Sequence, residues 1–135
     1  MFYGGVCGAA TQLFRLSLIV PDFDVIDRYG HSIWYVPYYS DYVFGDDAAL
    51  YQNSKKLILQ NNSAYPIYLK TISSETSTYL IAIVPNHTET YVKVIKEQTA
   101  NLSSKLIKNV YSPQNTLIKS QEFVTTYAKK SYTVN

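Results

Sequence analysis

Residues 55–98 read "KKLILQNNSAYPIYLKTISSETSTYLIAIVPNHTETYVKVIKEQ". Four runs rich in Leu, Ile, Val, Tyr and Thr are separated by "NNSAYP", "SSETS" and "PNHTE", stretches built from the residues that favour turns. Such spacing predicts consecutive antiparallel strands over 55–60, 67–72, 78–84 and 90–98. In the last of these, Tyr91, Lys93 and Ile95 alternate with Val92, Val94 and Lys96, the pattern of a strand with one face buried. Downstream, "SKLIKNVYS" (104–112) and "TLIKSQEFVTTYAKK" (116–130) predict a further pair joined at Pro113-Gln114-Asn115.

Working upstream, "YSDYVFGDDAALYQNS" (39–54) is irregular, and Gly45-Asp46-Asp47 inside it predicts a tight turn. "VIDRYGHSIWYVPYY" (25–39) has the β-branched and aromatic content of extended chain, with a bend at Gly30 and with His31, Ile33 and Tyr35 on one face. Only "AATQLFRLSLIV" (9–20) has helical periodicity: Ala10, Leu13, Phe14, Ser17 and Leu18 recur at three- and four-residue spacing, and Pro21 ends the run. The expected fold class is α+β, one N-terminal helix packed on a mostly antiparallel β-sheet with a C-terminal β-meander extension.

Composition agrees with this. The chain has 135 residues, 47% of them hydrophobic, enough for one domain with a core and too few for two sizeable ones. Fourteen tyrosines favour strands over helices. The net charge is +2 and the twelve Lys and Arg are scattered, so the sequence predicts no nucleic-acid partner. No apolar run approaches the roughly 20 residues that span a bilayer, so no transmembrane segment is expected, and no signal peptide is visible in this chain. Oligomeric state leaves no mark in the sequence.

Cys7 is the only cysteine, so no internal disulfide is possible. It precedes the expected helix among Gly4, Gly5 and Gly8, where unpaired helical amides stabilise negative charge and a glycine-lined backbone lets a substrate approach. Amides at such a helix start can also hold an oxyanion. A thiolate nucleophile needs a base, and there are two histidines. His31, on the strand after the helix, is the better candidate, and His87 falls in the "PNHTE" turn. A carboxylate from Asp47 or Asp46 could orient the imidazole, giving a Cys7, His31, Asp47 constellation in chain order. The alternative is that Cys7 is a small buried apolar residue and His31 bonds a backbone carbonyl. One cysteine and two distant histidines have no metal-site spacing, so no metal ligand set is expected.

Several stretches together resemble the core of the VanW family, bacterial proteins named for a vancomycin-resistance accessory gene. They are "YGGVCGAATQLFRLSL", "RYGHSIWYVPYY", "GDDAALY" and "KLILQNNSAYPIYLKT", in that order. The matching positions are Gly4, Gly5 and Cys7; His31 and Ser32; Tyr35, Val36 and Pro37; Gly45, Asp47 and Ala48; and Asn61, Asn62, Tyr65, Pro66 and Ile67. The chain departs from the pattern in having Gly8 where the family has Gln, and Ala10-Thr11 where it has a Ser-Thr pair.

The resemblance implies a family-type core over residues 1–72, shortened at its N-terminus, followed by a β extension over 73–135 in the same compact unit. It also implies an extracytoplasmic or cell-surface location and a cell-wall peptide or glycan as partner. The order Cys, His, Asp is similar to that of transglutaminase-like and papain-like enzymes. On that reading the chain is a cysteine-dependent acyl-transfer enzyme acting on cell-wall peptide without a cofactor, with Cys7 as nucleophile, His31 as base and Asp47 as orienter. Gly5, Thr11, Ser32, Trp34 and Tyr35 would then bind substrate or support the site. The alternative is a non-catalytic wall-binding or structural module. There "WYVPYYSDYVF" (34–44) forms an aromatic groove and Cys7 belongs to the core.

Overall fold

The computed structural model describes residues 4–33, 45–84 and 89–129. Trp34, Tyr35, the rest of the tyrosine-rich segment and His87 lie outside them. Within the described residues one helix and seven strands follow one another: α1 (Gly4–Ile19), β1 (Phe23–Arg28), β2 (Leu57–Asn61), β3 (Tyr68–Ser73), β4 (Thr78–Ile83), β5 (Tyr91–Ala100), β6 (Ser103–Tyr111) and β7 (Leu117–Thr126). The α+β class is as expected, and the strands fall within a few residues of the apolar runs that predicted them.

Their pairing is less regular than the runs suggest. All ladders are antiparallel, but β1 pairs with β2, β3 with β4, and β5, β6 and β7 form a separate three-stranded sheet. β2 pairs back to β1, and in the connection between them Ala48 and Leu50 lie against the helix. The β6–β7 hairpin turns where expected. The Ser112 amide bonds the Thr116 carbonyl at 2.9 Å, and Asn115 takes a left-handed φ of 64° that Asn tolerates.

Helix α1 begins at Gly4, five residues before the expected start, so Cys7 is the fourth residue of its first turn and does not precede it. The glycines there do not end the helix, because their intrinsic penalty of about 1 kcal/mol each is small beside tertiary packing. The helix ends at Ile19, two residues before Pro21, whose ring nitrogen has no proton for the Ser17 carbonyl.

Two groups of buried side chains hold the helix. On one side Ala10, Phe14 and Leu18 pack with Val25, Ala48 and Leu106, flanked by Leu50, Leu57, Leu59, Val94 and Phe123. On the other, Leu16, Val20 and Phe23 meet Ile67, Leu80, Ala82 and Val84 around the β3–β4 hairpin. The Phe14 ring is fully buried, edge-on to Phe123 with centroids 5.3 Å apart, and the Arg28 guanidinium lies over its face at 4.7 Å. Lys108 of β6 is also buried, and its ammonium closes the C-terminal end of the helix, donating to the carbonyls of Ser17 and Val20 at 2.8 Å and of Phe23 at 2.5 Å.

A Cys7, His31 and Asp47 cleft

β1 carries a bulge between Val25 and Asp27, ends at Arg28, and leaves His31 in irregular chain three residues further on. This corrects the expectation that extended chain, bent at Gly30, carries His31 and Ile33 on one strand face. Extension stops because a carboxylate takes over the backbone: Asp47 Oδ2 accepts from the His31 amide at 2.7 Å and from His31 Nδ1 at 2.5 Å. Asp47 is completely buried, whereas the His31 side chain remains 20% exposed. The imidazole is thus held by its Nδ1 edge.

The other oxygen of Asp47 is equally engaged. Oδ1 accepts from Arg28 Nη2 at 3.2 Å and from the Tyr127 hydroxyl. Arg28 is buried too, its side chain 4% exposed, and also donates to the Asp47 carbonyl from Nε at 2.7 Å, to the Gly45 carbonyl from Nη2 at 2.8 Å and to Thr125 Oγ1 from Nη1 at 2.5 Å. Burial alone would push the Asp47 carboxyl up. The hydrogen bonds from the His31 ring, Tyr127 and the His31 amide, with the Arg28 charge, outweigh it and hold the carboxyl below its ordinary value of 3.8. Asp46 has the opposite balance: burial dominates and raises it, although Arg15 pairs with it at 3.1 Å. Of the two neighbouring aspartates, Asp47 meets His31 and Asp46 meets Arg15.

Gly45 opens this segment with φ 90°, the left-handed region, and a Cβ there would overlap the Ser104 hydroxyl. Beyond it the chain runs between α1 and the end of β1 with a two-residue alternation. Thr11 Oγ1 receives the Ala48 amide at 3.1 Å and donates to the Ala48 carbonyl at 3.3 Å. The Ala49 amide turns the other way, to the Tyr29 carbonyl at 2.8 Å. Cys7 Sγ repeats the Thr11 arrangement one helical turn earlier, accepting from the Leu50 amide at 3.5 Å and facing the Leu50 carbonyl at 3.6 Å. Two side chains at i and i+4 of the helix therefore serve as the missing ladder partner of residues 48–50. Replacing Thr11 by Val keeps the shape and leaves the buried Ala48 amide without its acceptor. The expected cost is about 1–3 kcal/mol. A lower denaturant midpoint at unchanged m-value checks it.

Cys7, His31, Ser32, Ala49, Leu50, Tyr51 and Lys55 line one open cleft of about 400 Å³. Cys7 is half-buried and His31 half-buried beside it, both reachable from solvent. Thr11 is 1% exposed and faces Ala48 in the interior; Gly5 lines a neighbouring apolar hollow with Val6, Ala9, Ala10, Leu13, Leu50 and Leu57. Among the described residues no three His, Cys, Asp or Glu side chains converge as a metal set. The sequence reading passed over Arg28, Thr125 and Tyr127. Arg28 had a faint signal as a lone cation in the β-branched "VIDRYG" run, but Tyr127 is one of fourteen tyrosines and nothing local distinguishes it.

The family model described as VanW like protein matches residues 2–84, more than half of the chain, and spans Cys7, His31 and Asp47 together. The chain belongs to the VanW family. The match ends after β4, so β5, β6 and β7 lie beyond the VanW-matched region. No curated protein and no solved structure matches the chain. No helix of the described residues is long and apolar enough to cross a membrane.

Proposed function

We propose that this VanW-family chain is a cell-envelope domain, placed outside the cytoplasm, that transfers acyl groups of cell-wall peptide through Cys7. The observation that carries the reading is His31 anchored through Nδ1 to a buried, ionised Asp47 in the same cleft that Cys7 lines. An Nδ1–H directed at a carboxylate leaves Nε2 basic and stabilises the imidazolium that forms when it takes a proton.

In the proposed cycle the Cys7 thiol gives its proton to His31 Nε2, and the sulfur attacks a peptide carbonyl. The tetrahedral adduct collapses as the imidazolium protonates the leaving amine, and a thioester remains. An amine or water then attacks the thioester, passes its proton back through His31 and releases Cys7. The Leu50 amide donating to Sγ is the kind of contact a thiolate accepts, and Lys55 in the cleft suits the carboxylate of an acidic peptide. Ser32 and Tyr51 are the hydroxyl-bearing residues among those lining the cleft.

The second reading, a non-catalytic wall-binding or structural module, draws on the same sulfur: its contacts to both backbone groups of Leu50 are what a fastener between the helix and the 48–50 segment would make. Iodoacetamide separates the two. A catalytic Cys7 should alkylate rapidly in the folded protein at neutral pH, and His31→Ala should slow this at least about tenfold while leaving the unfolded chain's rate unchanged. A Cys7 that reacts only on unfolding, at a rate indifferent to His31, rejects the enzyme reading. Incubation with wall-peptide fragments and mass analysis for an acyl adduct on Cys7 then identifies the donor.

A further inference from the structure

The residues that hold His31 in place come from two parts of the chain, and one of them is not part of the VanW-matched region. Tyr127 and Thr125 belong to β7 and its end, more than forty residues past the match. Tyr127 is 2% exposed; its hydroxyl accepts from the Gly45 amide at 2.9 Å and donates to Asp47 Oδ1, which fixes both the turn at Gly45 and the rotation of the carboxylate. Thr125, 5% exposed, receives Arg28 Nη1 and so holds the guanidinium that backs the same oxygen. Ala128 then pairs alongside the residues next to His31, its amide bonding the Ser32 carbonyl at 2.8 Å with a parallel bridge to Ile33.

We propose that the C-terminal three-stranded sheet is a working part of the site, with Tyr127 as a positioning residue that sets the His31 imidazole through the Asp47 carboxylate. On Oδ1 the Arg28 contact, long at 3.2 Å, by itself leaves the carboxylate room to turn about its Cα–Cβ and Cβ–Cγ bonds. The tyrosine hydroxyl on the same oxygen removes that freedom, so His31 is kept with its proton on Nδ1. Around the ring stand Asp47 and Arg28 behind, and Cys7 and Lys55 across the cleft. The proposal concerns the imidazole and holds whichever reaction the cleft performs.

The test is nitrogen-15 NMR of the His31 ring in the full chain, comparing the native protein with Tyr127→Phe and with Val110→Ala, a core truncation on β6 that lowers stability without touching Asp47. The native ring should show one tautomer with a slowly exchanging Nδ1 proton. In Tyr127→Phe that proton should exchange at least about tenfold faster, the weight of one hydrogen bond to a charged group, with a second tautomer appearing. Val110→Ala should leave both signals in place. A Tyr127→Phe ring indistinguishable from native overturns the proposal. If Tyr127→Phe does not fold, the native protein decides. The hydroxyl-bearing ring carbon of Tyr127 should shift over the same pH range as the His31 ring, and a flat Tyr127 signal there overturns the proposal. Since the readout is the ring itself, an inert Cys7 would dismiss the acyl-transfer reading and leave this result untouched.

Discussion

Asp47→Asn will lower the stability of the protein by about 3–5 kcal/mol, the usual consequence of removing one partner of a buried ion pair. Asparagine keeps the shape but removes the charge that compensates Arg28, whose side chain is 4% exposed and has the Phe14 ring on its other side. It also puts an amide nitrogen against either the His31 donors or the Tyr127 hydroxyl, so at least one hydrogen bond of the network is lost. For a domain whose total stability is about 5–15 kcal/mol, this is a large fraction.

The pH dependence provides a second check on the same residue. The Asp47 carboxyl is lowered in the folded protein, so over the range between its folded value and 3.8 the unfolded chain binds more protons than the native one. Its contribution is complete above the ordinary value and disappears as the pH falls through the folded one. Native protein should therefore lose stability on acidification below about pH 4, and Asp47→Asn should show a shallower acid limb. Chemical unfolding from pH 7 down to pH 2.5 measures both. A variant within about 1 kcal/mol of native, with an unchanged acid limb, would mean that Asp47 is not the keystone of the cluster.

Lys108→Met is the second large effect, expected to cost about 2–4 kcal/mol. The ammonium serves three carbonyls where α1 gives way to β1, and one of them is orphaned by the sequence itself. In a regular helix the Ser17 carbonyl would take the amide of residue 21, which is Pro21. A cation at this end also meets the negative pole of the helix. Methionine fills the volume, relieves the burial of a charge, leaves the Ser17 and Phe23 carbonyls without the ammonium, and leaves Val20 with the Phe23 amide at 3.2 Å. Burial, aided by the nearby Lys119 and opposed by Asp24 and Asp22, pulls Lys108 down from 10.5 to about 8. The native state then sheds its proton before the unfolded chain does, so this residue's contribution rises between about pH 8 and 10.5. The gap between native protein and Lys108→Met should widen across that interval in denaturant titrations. A gap that closes there would show that the charged form is the one the fold favours.

Much of the local structure could be read from the sequence. The six strands from β2 onward follow from β-branched and aromatic runs set between turn residues, and the helix ahead of Pro21 from a three-to-four-residue periodicity. The candidate site was legible where types and spacing coincide: Cys7 near a helix start, a histidine beyond it, an aspartate after a glycine turn. What misled was the neighbourhood of His31. Its β-branched flanks favour a strand, yet the side chain and amide are claimed by Asp47, sixteen residues away, and a local window holds no information on that competition.

By itself the sequence determined the β-rich α+β class, the near-neutral charge that gives no footprint for nucleic acid, and the ordered motifs of the VanW core. Tertiary structure alone decided how the described strands divide into three sheets, which of two adjacent aspartates faces His31, and that Cys7 and Thr11 clasp residues 48–50. It also decided that Tyr127 reaches Asp47 across 80 residues and Lys108 reaches Ser17 across 91. The physical reason is range. Periodicity reports the environment a segment prefers, whereas a buried carboxylate or ammonium takes whichever donors or acceptors the folded chain brings within 3 Å or so of it, and their identity is fixed only when the distant elements have packed.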